Sequence, residues 1–543
     1  MNKAFTLIEL LAVITILGLL SLLVVPNITE NVGEKQQEIS DVNKKMLENA
    51  ADIYIEKNPN NYTYTYESNG STYCIPIQSL INENILETPI KDEKGKEIDY
   101  SQIIKATYSH IYNGFEYEIV NNDNCTEIKN YVSKPELQDD MIPVIYDEDN
   151  KTWIKADLTS KWYNYSEKKW ANVVIVNEHK SESANSKSRY EYLKSEPGTP
   201  ILEEDIMAYF VWIPRYRFKY FESVITNEVE IIFEGINTKP SKGLHRGDWK
   251  THEAFTLGSK ELSGIWVGKF ETSSENPNET QTNTTNMTLR IKPNVKSWRN
   301  IQVSNAYLVT QNMKNDKNIY GIKTSDPHVM KNIEWSAAIF LAHSKYGIND
   351  EVRLNNNEYY ITGCGALEPN NDGTSECEIS FNNSDTYPQS TTGNITGIFD
   401  MSGGAQEYVM GTLADDNDTP YIGRHNIWNT GFNGVLGKSD TVLTDNNGSP
   451  LDGGDDSIKK ITNQVDLPNM KYLNIYNLKP HPGHAINDPV GWYDDEQIHM
   501  SIGSPWIVRG GTYQDKEKAG IFNFKGESGT NLSNTTFRVV ITK

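Results

Sequence analysis

Four cysteines, Cys74, Cys125, Cys364 and Cys377, are the only thiols in 543 residues, with no C-x-x-C spacing and no histidine cluster beside them. That spacing argues against zinc, which needs closely spaced thiolate or imidazole ligands. An even count would suggest disulfides if the chain leaves the cytoplasm, and pairing nearest neighbours gives Cys74–Cys125 and Cys364–Cys377, one of three connectivities. Among the histidines, His425, His481, His484 and His499 form no settled metal triad. His481 and His484 are three apart, but they sit in a loop locked by Pro480 and Pro482 rather than on a helix face. Gly403 and Gly404 can turn the chain with positive φ, so that Glu407 folds back to bind a cation or cap the loop. The turn at Arg509, Gly510 and Gly511 reads as a core corner. Trp153, Trp162, Tyr163 and Trp170 form an aromatic row that could stack sugars or simply fill a hairpin. One more carboxylate is conspicuous: Glu9 is the only charge in the apolar run Phe5–Val25.

Composition sets limits on what these residues can do. Lys plus Arg number 51 against 73 acids, a net charge of −22. That balance disfavours a nucleic-acid partner, because phosphate contacts need clustered cations. Hydrophobic residues make up 37% and mean hydropathy is −0.59, which excludes a multi-span membrane protein. The 30 Tyr, 11 Trp and 15 Phe still supply apolar surface for real cores. The length suggests roughly two to four domains.

The run FTLIELLAVITILGLLSLLVV covers about 30 Å as a helix, the thickness of a bilayer core. Lys3 precedes it and keeps the short N-terminus cytoplasmic. A secretory signal would be cleaved after its apolar run, yet the small residue Ala4 stands before this one. The string KA-FTLIELLAVITILGLL resembles the class III signal of type IV pilins and type II secretion pseudopilins. The resemblance implies cleavage by prepilin peptidase between Ala4 and Phe5 and methylation of the Phe5 amine. It also implies that Glu9 pairs with the terminal amine of a neighbouring subunit. Ala4 replaces the usual Gly, and Pro26 stands where pilins carry a kinking proline.

Past Pro26, the residues Ile28, Val32, Ile39, Val42, Met46, Ala50 and Ile53 fall on one helical face, expected to pack on a small sheet as far as Lys57. Asn58-Pro-Asn-Asn61 should end that helix. Alternating runs at NYTYTYES, STYCIPI, IIKATYSHIY and GFEYEIV read as strands. The expected organisation is α+β. Residues 1–30 form the signal and membrane-spanning helix, 31–133 a pilin-like body, 134–180 a small tryptophan-rich β unit and 181–200 a linker. Residues 201–543 form a large loop-rich domain.

Strings in that last domain resemble the formylglycine-generating enzyme (sulfatase-modifying factor) family, whose fold is a C-type lectin variant. They are Phe210-Val-Trp-Ile-Pro214, Gly264-Ile-Trp-Val-Gly-Lys-Phe-Glu271, Glu334-Trp-Ser-Ala-Ala338, Gly393 to Tyr408, Trp506 to Gly511 and Thr536-Phe-Arg-Val-Val540, in family order. The resemblance implies calcium held by the Gly403 and Ala405 carbonyls and the Glu407 carboxylate, although Gly404 and Gln406 stand where the family has Asn and Trp. It does not carry catalysis over. The copper-binding cysteine pair of those enzymes is missing, since no cysteine follows Cys377, so neither copper nor an oxidase is expected.

In lectin-fold relatives the last segment carries the ligand-facing residues, which here implies Tyr513, Gln514, Asp515, Lys516, Lys518, Asn523 and Lys525. Their mix of rigid aromatic and adaptable polar groups is binder chemistry. The expected function is a pilin-like adhesin, membrane-anchored before processing and then displayed at the cell surface beside other pilin subunits. Its ligand would be a glycan, a protein or a cell surface. The rival is a pseudopilin or DNA-uptake pilin that acts in assembly alone.

Overall fold

The computed structural model describes residues 41–59, 62, 70–91, 95–109, 113–125, 127, 132–138, 140–160, 162–219, 228–242, 248–276, 281–315, 319–365, 376–414, 432, 470–477, 492–501 and 503–543. Ala4, Phe5 and Glu9, with the whole expected anchor, lie outside the described residues, as do His425, His481 and His484. Among the described residues no helix is long and apolar enough to cross a membrane. The chain divides into two compact units. The first comprises residues 1–63, 73–107 and 115–126, and the second residues 64–72, 108–114 and 127–543.

In the first unit, helix α1 (Asp41–Lys57) stops before Asn58-Pro59, where the proline disfavours helical backbone in the residue preceding it. Its buried residues are Leu47, Ala50, Ala51 and Ile55, three to four apart, and they share a core with Ile75, Ile77, Leu80 and Ile104. The expected apolar row is corrected here. Of its described members only Ala50 is buried, whereas Val42, Met46 and Ile53 are 78%, 37% and 46% exposed. Leu47 and Ile55 lie about a residue's rotation away and turn that face to the core instead. Strand β1 (Thr72–Pro76), helix α2 (Ile77–Asn82), strand β2 (Ile103–Ser109) and strand β3 (Gly114–Val120) follow, and the sheet runs β1-β2-β3. Cys74 is bridged to Cys125 with Cα atoms 5.9 Å apart.

The second unit is built on an antiparallel sheet of seven strands. They are β4 (Ile142–Asp147), β5 (Thr152–Lys155), β6 (Asn172–Val176), β7 (Ile206–Pro214), β10 (Gly264–Gly268), β11 (Asp326–Val329) and β17 (Val539–Thr542). Their order is β11-β17-β10-β7-β6-β4-β5. All nine residues of β7 are buried, which its unbroken apolar run IMAYFVWIP makes favourable. Trp212 on β7 faces Trp266 on β10 in register. Strands β8 (Tyr216–Lys219) and β9 (Glu230–Phe233) form a smaller sheet.

Two expected boundaries are corrected. The tryptophan-rich stretch is not a separate unit, because β6 pairs with β7 and brings β4 and β5 into the main sheet. Trp153, Tyr165 and Trp170 are buried in its core, and the Trp170 indole donates to the Tyr346 carbonyl at 2.8 Å. The expected linker carries helix α3 (Arg189–Lys194), with a capping box between Ser188 and Glu191. Tyr192 donates to Asp205 at 2.7 Å, and the buried Arg189 donates to the Val176 carbonyl, which fastens the segment down.

Helix α4 (Val303–Gln311) and helix α5 (Asn332–Ala342) pack onto this unit, and α5 is buried nearly all round. The second sheet centres on β12 (Gln406–Ala414). That strand pairs with β13 (Asn474–Asn477), β14 (Trp506–Gly510) and β16 (Thr535–Phe537), and β15 (Gly520–Glu527) adds on to β14. It delivers the last chain segment to the site.

Candidate ligand-binding cleft

Between β14 and β15 the chain leaves the sheet through Gly510 and Gly511, at φ 83° and 67°. A side chain at Gly511 would begin 2.9 Å from the Ala519 Cα, so only glycine fits the turn. The next residues form a short 3-10 turn, Tyr513–Lys518. Asp515 sets its start, accepting from the Thr512 N–H at 2.6 Å and the Thr512 hydroxyl at 2.9 Å. Lys516 is held at φ 51°, ψ −123°, a backbone region that a residue with a side chain seldom occupies.

This turn forms one wall of a cleft of about 770 Å³, contributing Tyr513, Gln514, Lys516 and Glu517. A second wall is the loop carrying Glu351, Arg353, Glu358 and Tyr359. Within that loop the Asn357 Oδ1 accepts from the N–H groups of Tyr359 and Ile361, each at 3.0 Å. The third wall holds Gly365, Glu376 and Glu378. Each of these adjoins a half of the Cys364–Cys377 disulfide, whose Cα atoms are 5.7 Å apart. Ring contacts continue inward from Tyr513, which meets Tyr360 edge-on at 5.1 Å, and Tyr360 lies 3.8 Å from the Arg299 guanidinium.

Behind the cleft lies a buried charge cluster. Glu407 accepts from Arg538 Nε at 2.9 Å and from Nη2 at 2.5 Å. Arg538 also donates to the carbonyls of Gly268 and Phe399. Asp400 holds the Gly363 N–H at 2.8 Å and the Asn355 amide at 2.9 Å, while Glu271 accepts from the Ala405 N–H at 2.9 Å. Burial, then the charges of Asp400 and Glu407, push the Glu271 carboxyl well above its usual range. Burial pushes Glu407 up to about 7, with Arg538 pulling it back. Gly404, at φ 66°, backs onto this cluster, and a side chain there would meet the Glu271 Oε1 at 2.5 Å.

Of the residues expected to hold calcium, Glu407 has both oxygens bonded to the Arg538 guanidinium, and Ala405 donates its N–H to Glu271. Among the described residues there is no group of three or more metal-ligating side chains.

The expected ligand-facing set divides. Tyr513, Gln514 and Lys516 line the cleft. Lys518 is exposed but pairs with Glu496 at 3.0 Å, and Lys525 is half-buried near Glu527 on β15. Asp515 is the cap of the turn. Asn523 is a correction: it is 2% exposed, and its amide donates to the Lys518 carbonyl at 2.8 Å, because the first five residues of β15 are all buried. Arg509 is a buried corner that donates to Asn332 at 3.1 Å. Sequence reasoning missed the other two walls entirely. The Cys364–Cys377 pairing was the one signal that placed Gly365 beside Glu376 and Glu378.

Residues 1–25 match the family model described as the prokaryotic N-terminal methylation motif. No curated protein matches the chain at a significant level. The matched segment includes Ala4, Phe5 and Glu9. The N-terminus is therefore that of a type IV pilin-like protein, marked for processing by a prepilin peptidase and for assembly with other pilin subunits.

Proposed function

We propose that the chain is a minor pilin-like subunit that displays its second unit at the cell surface as a lectin-like binding module. The ligand enters the cleft between the Tyr513–Lys518 turn and the Glu351–Tyr359 loop. One observation carries this reading: Tyr513, Gln514 and Lys516, singled out as ligand-facing from their chemistry and place in the chain, line a cleft of ligand size. Rigid tyrosines beside amides and charged side chains suit recognition of a glycan, a protein or a cell surface. Binding is favoured over oxidase chemistry because all four cysteines are consumed in disulfides, leaving no thiolate for copper.

The test is a glycan and cell-binding screen with the full chain. Gln514→Ala and Tyr513→Ala are each expected to weaken the ligand found by about tenfold, the size of a lost central contact. A screen without a saturable ligand, or a ligand indifferent to both substitutions, would leave an assembly role as the better reading.

A further inference from the structure

The walls of the cleft are all fastened to one buried carboxylate. Asp400 is 2% exposed, and its Oδ1 accepts from the Gly363 N–H at 2.8 Å and from the Asn355 amide at 2.9 Å. The main-chain N–H of Glu271 is a further donor to it. These bonds compensate a carboxylate that burial by itself would disfavour. Asp400 also stands at φ 62°, a left-handed backbone that a residue with a side chain seldom adopts. Such an outlier persists only where its surroundings over-determine it, and the bonds to Gly363, Asn355 and Glu271 do so.

Each donor leads to a wall. Asn355 is 1% exposed, and its Oδ1 accepts from the Asn357 N–H at 3.0 Å. Asn357 in turn accepts from the N–H groups of Tyr359 and Ile361 and donates its amide to the Glu376 carbonyl at 2.8 Å. Asn357, Tyr359 and Glu376 all line the cleft. Gly363 precedes the Cys364 half of the disulfide, and the lining residue Gly365 follows it. Glu271 leads to the remaining wall. Its side chain accepts from the Ala405 N–H at 2.9 Å, and the neighbouring Gly404 carbonyl accepts from the Tyr513 N–H at 3.0 Å.

Resting on the reading of the cleft as a ligand site, we propose that Asp400 is its positioning residue. Acting through Asn355, Gly363 and Glu271, it holds the walls in one geometry, so that a ligand meets a cleft already formed. Holding them beforehand removes an ordering cost from binding.

Hydrogen–deuterium exchange of the full chain in detergent, read by mass spectrometry without any ligand, tests it. Asp400→Gly deletes the carboxylate and keeps the left-handed backbone accessible. It is expected to speed exchange about tenfold, the size of one lost hydrogen bond, in segments 355–365 and 512–518 together. The buried strands β6 and β7 should exchange as in the wild type. Asp400→Asn keeps an Oδ1 acceptor and tolerates the same backbone, so both segments should return to wild-type rates. Acceleration confined to 355–365, no acceleration, or no rescue by Asn overturns the proposal. If Asp400→Gly loosens β6 and β7 as well, or fails to fold, Asn355→Ala decides, because it removes one donor only. Faster exchange at Asn357, Tyr359 and Ile361 with β6 and β7 unchanged then upholds the proposal, and unchanged rates there overturn it. The two readings fail separately. Walls that loosen independently overturn the positioning role and leave the cleft reading, whereas a ligand screen without a hit removes the cleft reading and leaves the walls coupled.

Discussion

Arg538 bonds the Glu407 carboxylate with its guanidinium in a cluster that also holds Glu271 and Asp400, all of it buried. Replacing it with Met keeps the side-chain length but leaves the carboxylates uncompensated. Arg538→Met is therefore expected to cost about 3–5 kcal/mol in urea unfolding, in the range for breaking a buried pair. Asp495 makes a different prediction. It accepts from the Phe522 N–H at 2.8 Å, and burial pushes its carboxyl up to about 7, well above the unfolded value of about 3.9. Between those values the folded chain keeps a proton that the unfolded chain has released. The stabilisation present below about pH 4 is thus lost as pH rises through about 7. Asp495→Asn retains an acceptor and removes the titration, so urea midpoints measured from about pH 4 to pH 8 should flatten relative to wild type. A slope identical to wild type would show that Asp495 is not the group responsible. Neither role was legible from residue type: Glu407 follows two glycines in a way that suits a cation equally well, and its partner lies 131 residues further on.

At the scale of elements, the Cys364–Cys377 bridge closes a short loop and holds Gly365 next to Glu376 and Glu378. Replacing both cysteines with Ser is expected to lower stability by about 3 kcal/mol, the chain-entropy value for so short a loop. The same variant should weaken the cleft's ligand, because one wall is no longer held in place; denaturant unfolding and a binding titration on one preparation check both. Strands β7 and β10 contain Phe210–Pro214 and Gly264–Gly268, strings singled out by resemblance, and IMAYFVWIP and GIWVG supply the run of apolar residues that a buried central strand needs. Helix α3 was not singled out, since six largely polar residues with a preceding serine-rich stretch resemble a linker. Its stabilisation comes from the Ser188–Glu191 capping box and from Tyr192 on Asp205. The Ser-x-x-Glu spacing was the local signal that could have revealed it. In α1 the apolar residues outnumber those one face can bury, so spacing alone could not say that Leu47 and Ile55, not Val42 and Ile53, turn inward.

At the scale of the whole molecule, the N-terminal motif predicts that the mature chain begins at Phe5 and carries a methyl group on its amine. Mass spectrometry of protein recovered from cells with an active prepilin peptidase checks this, and an intact Met1 start would contradict it. A net charge of −22 suits a displayed unit that must stay soluble, and it agrees in sign with a cleft rich in carboxylates. Sequence by itself determined the processing signal, the existence of the strongly apolar strands and the supply of paired cysteines. Each of these is written in neighbouring residues and read locally, by a peptidase, by backbone pairing or by composition. Tertiary structure alone decided that Glu407 serves Arg538, that Asn523 is buried, and that Glu351–Tyr359, Gly365 with Glu376 and Glu378, and Tyr513–Glu517 face one another. Burial and charge compensation are properties of neighbours in space, and Glu407 with Arg538, like the Tyr513–Glu517 turn with the Glu351–Tyr359 loop, come from segments more than a hundred residues apart.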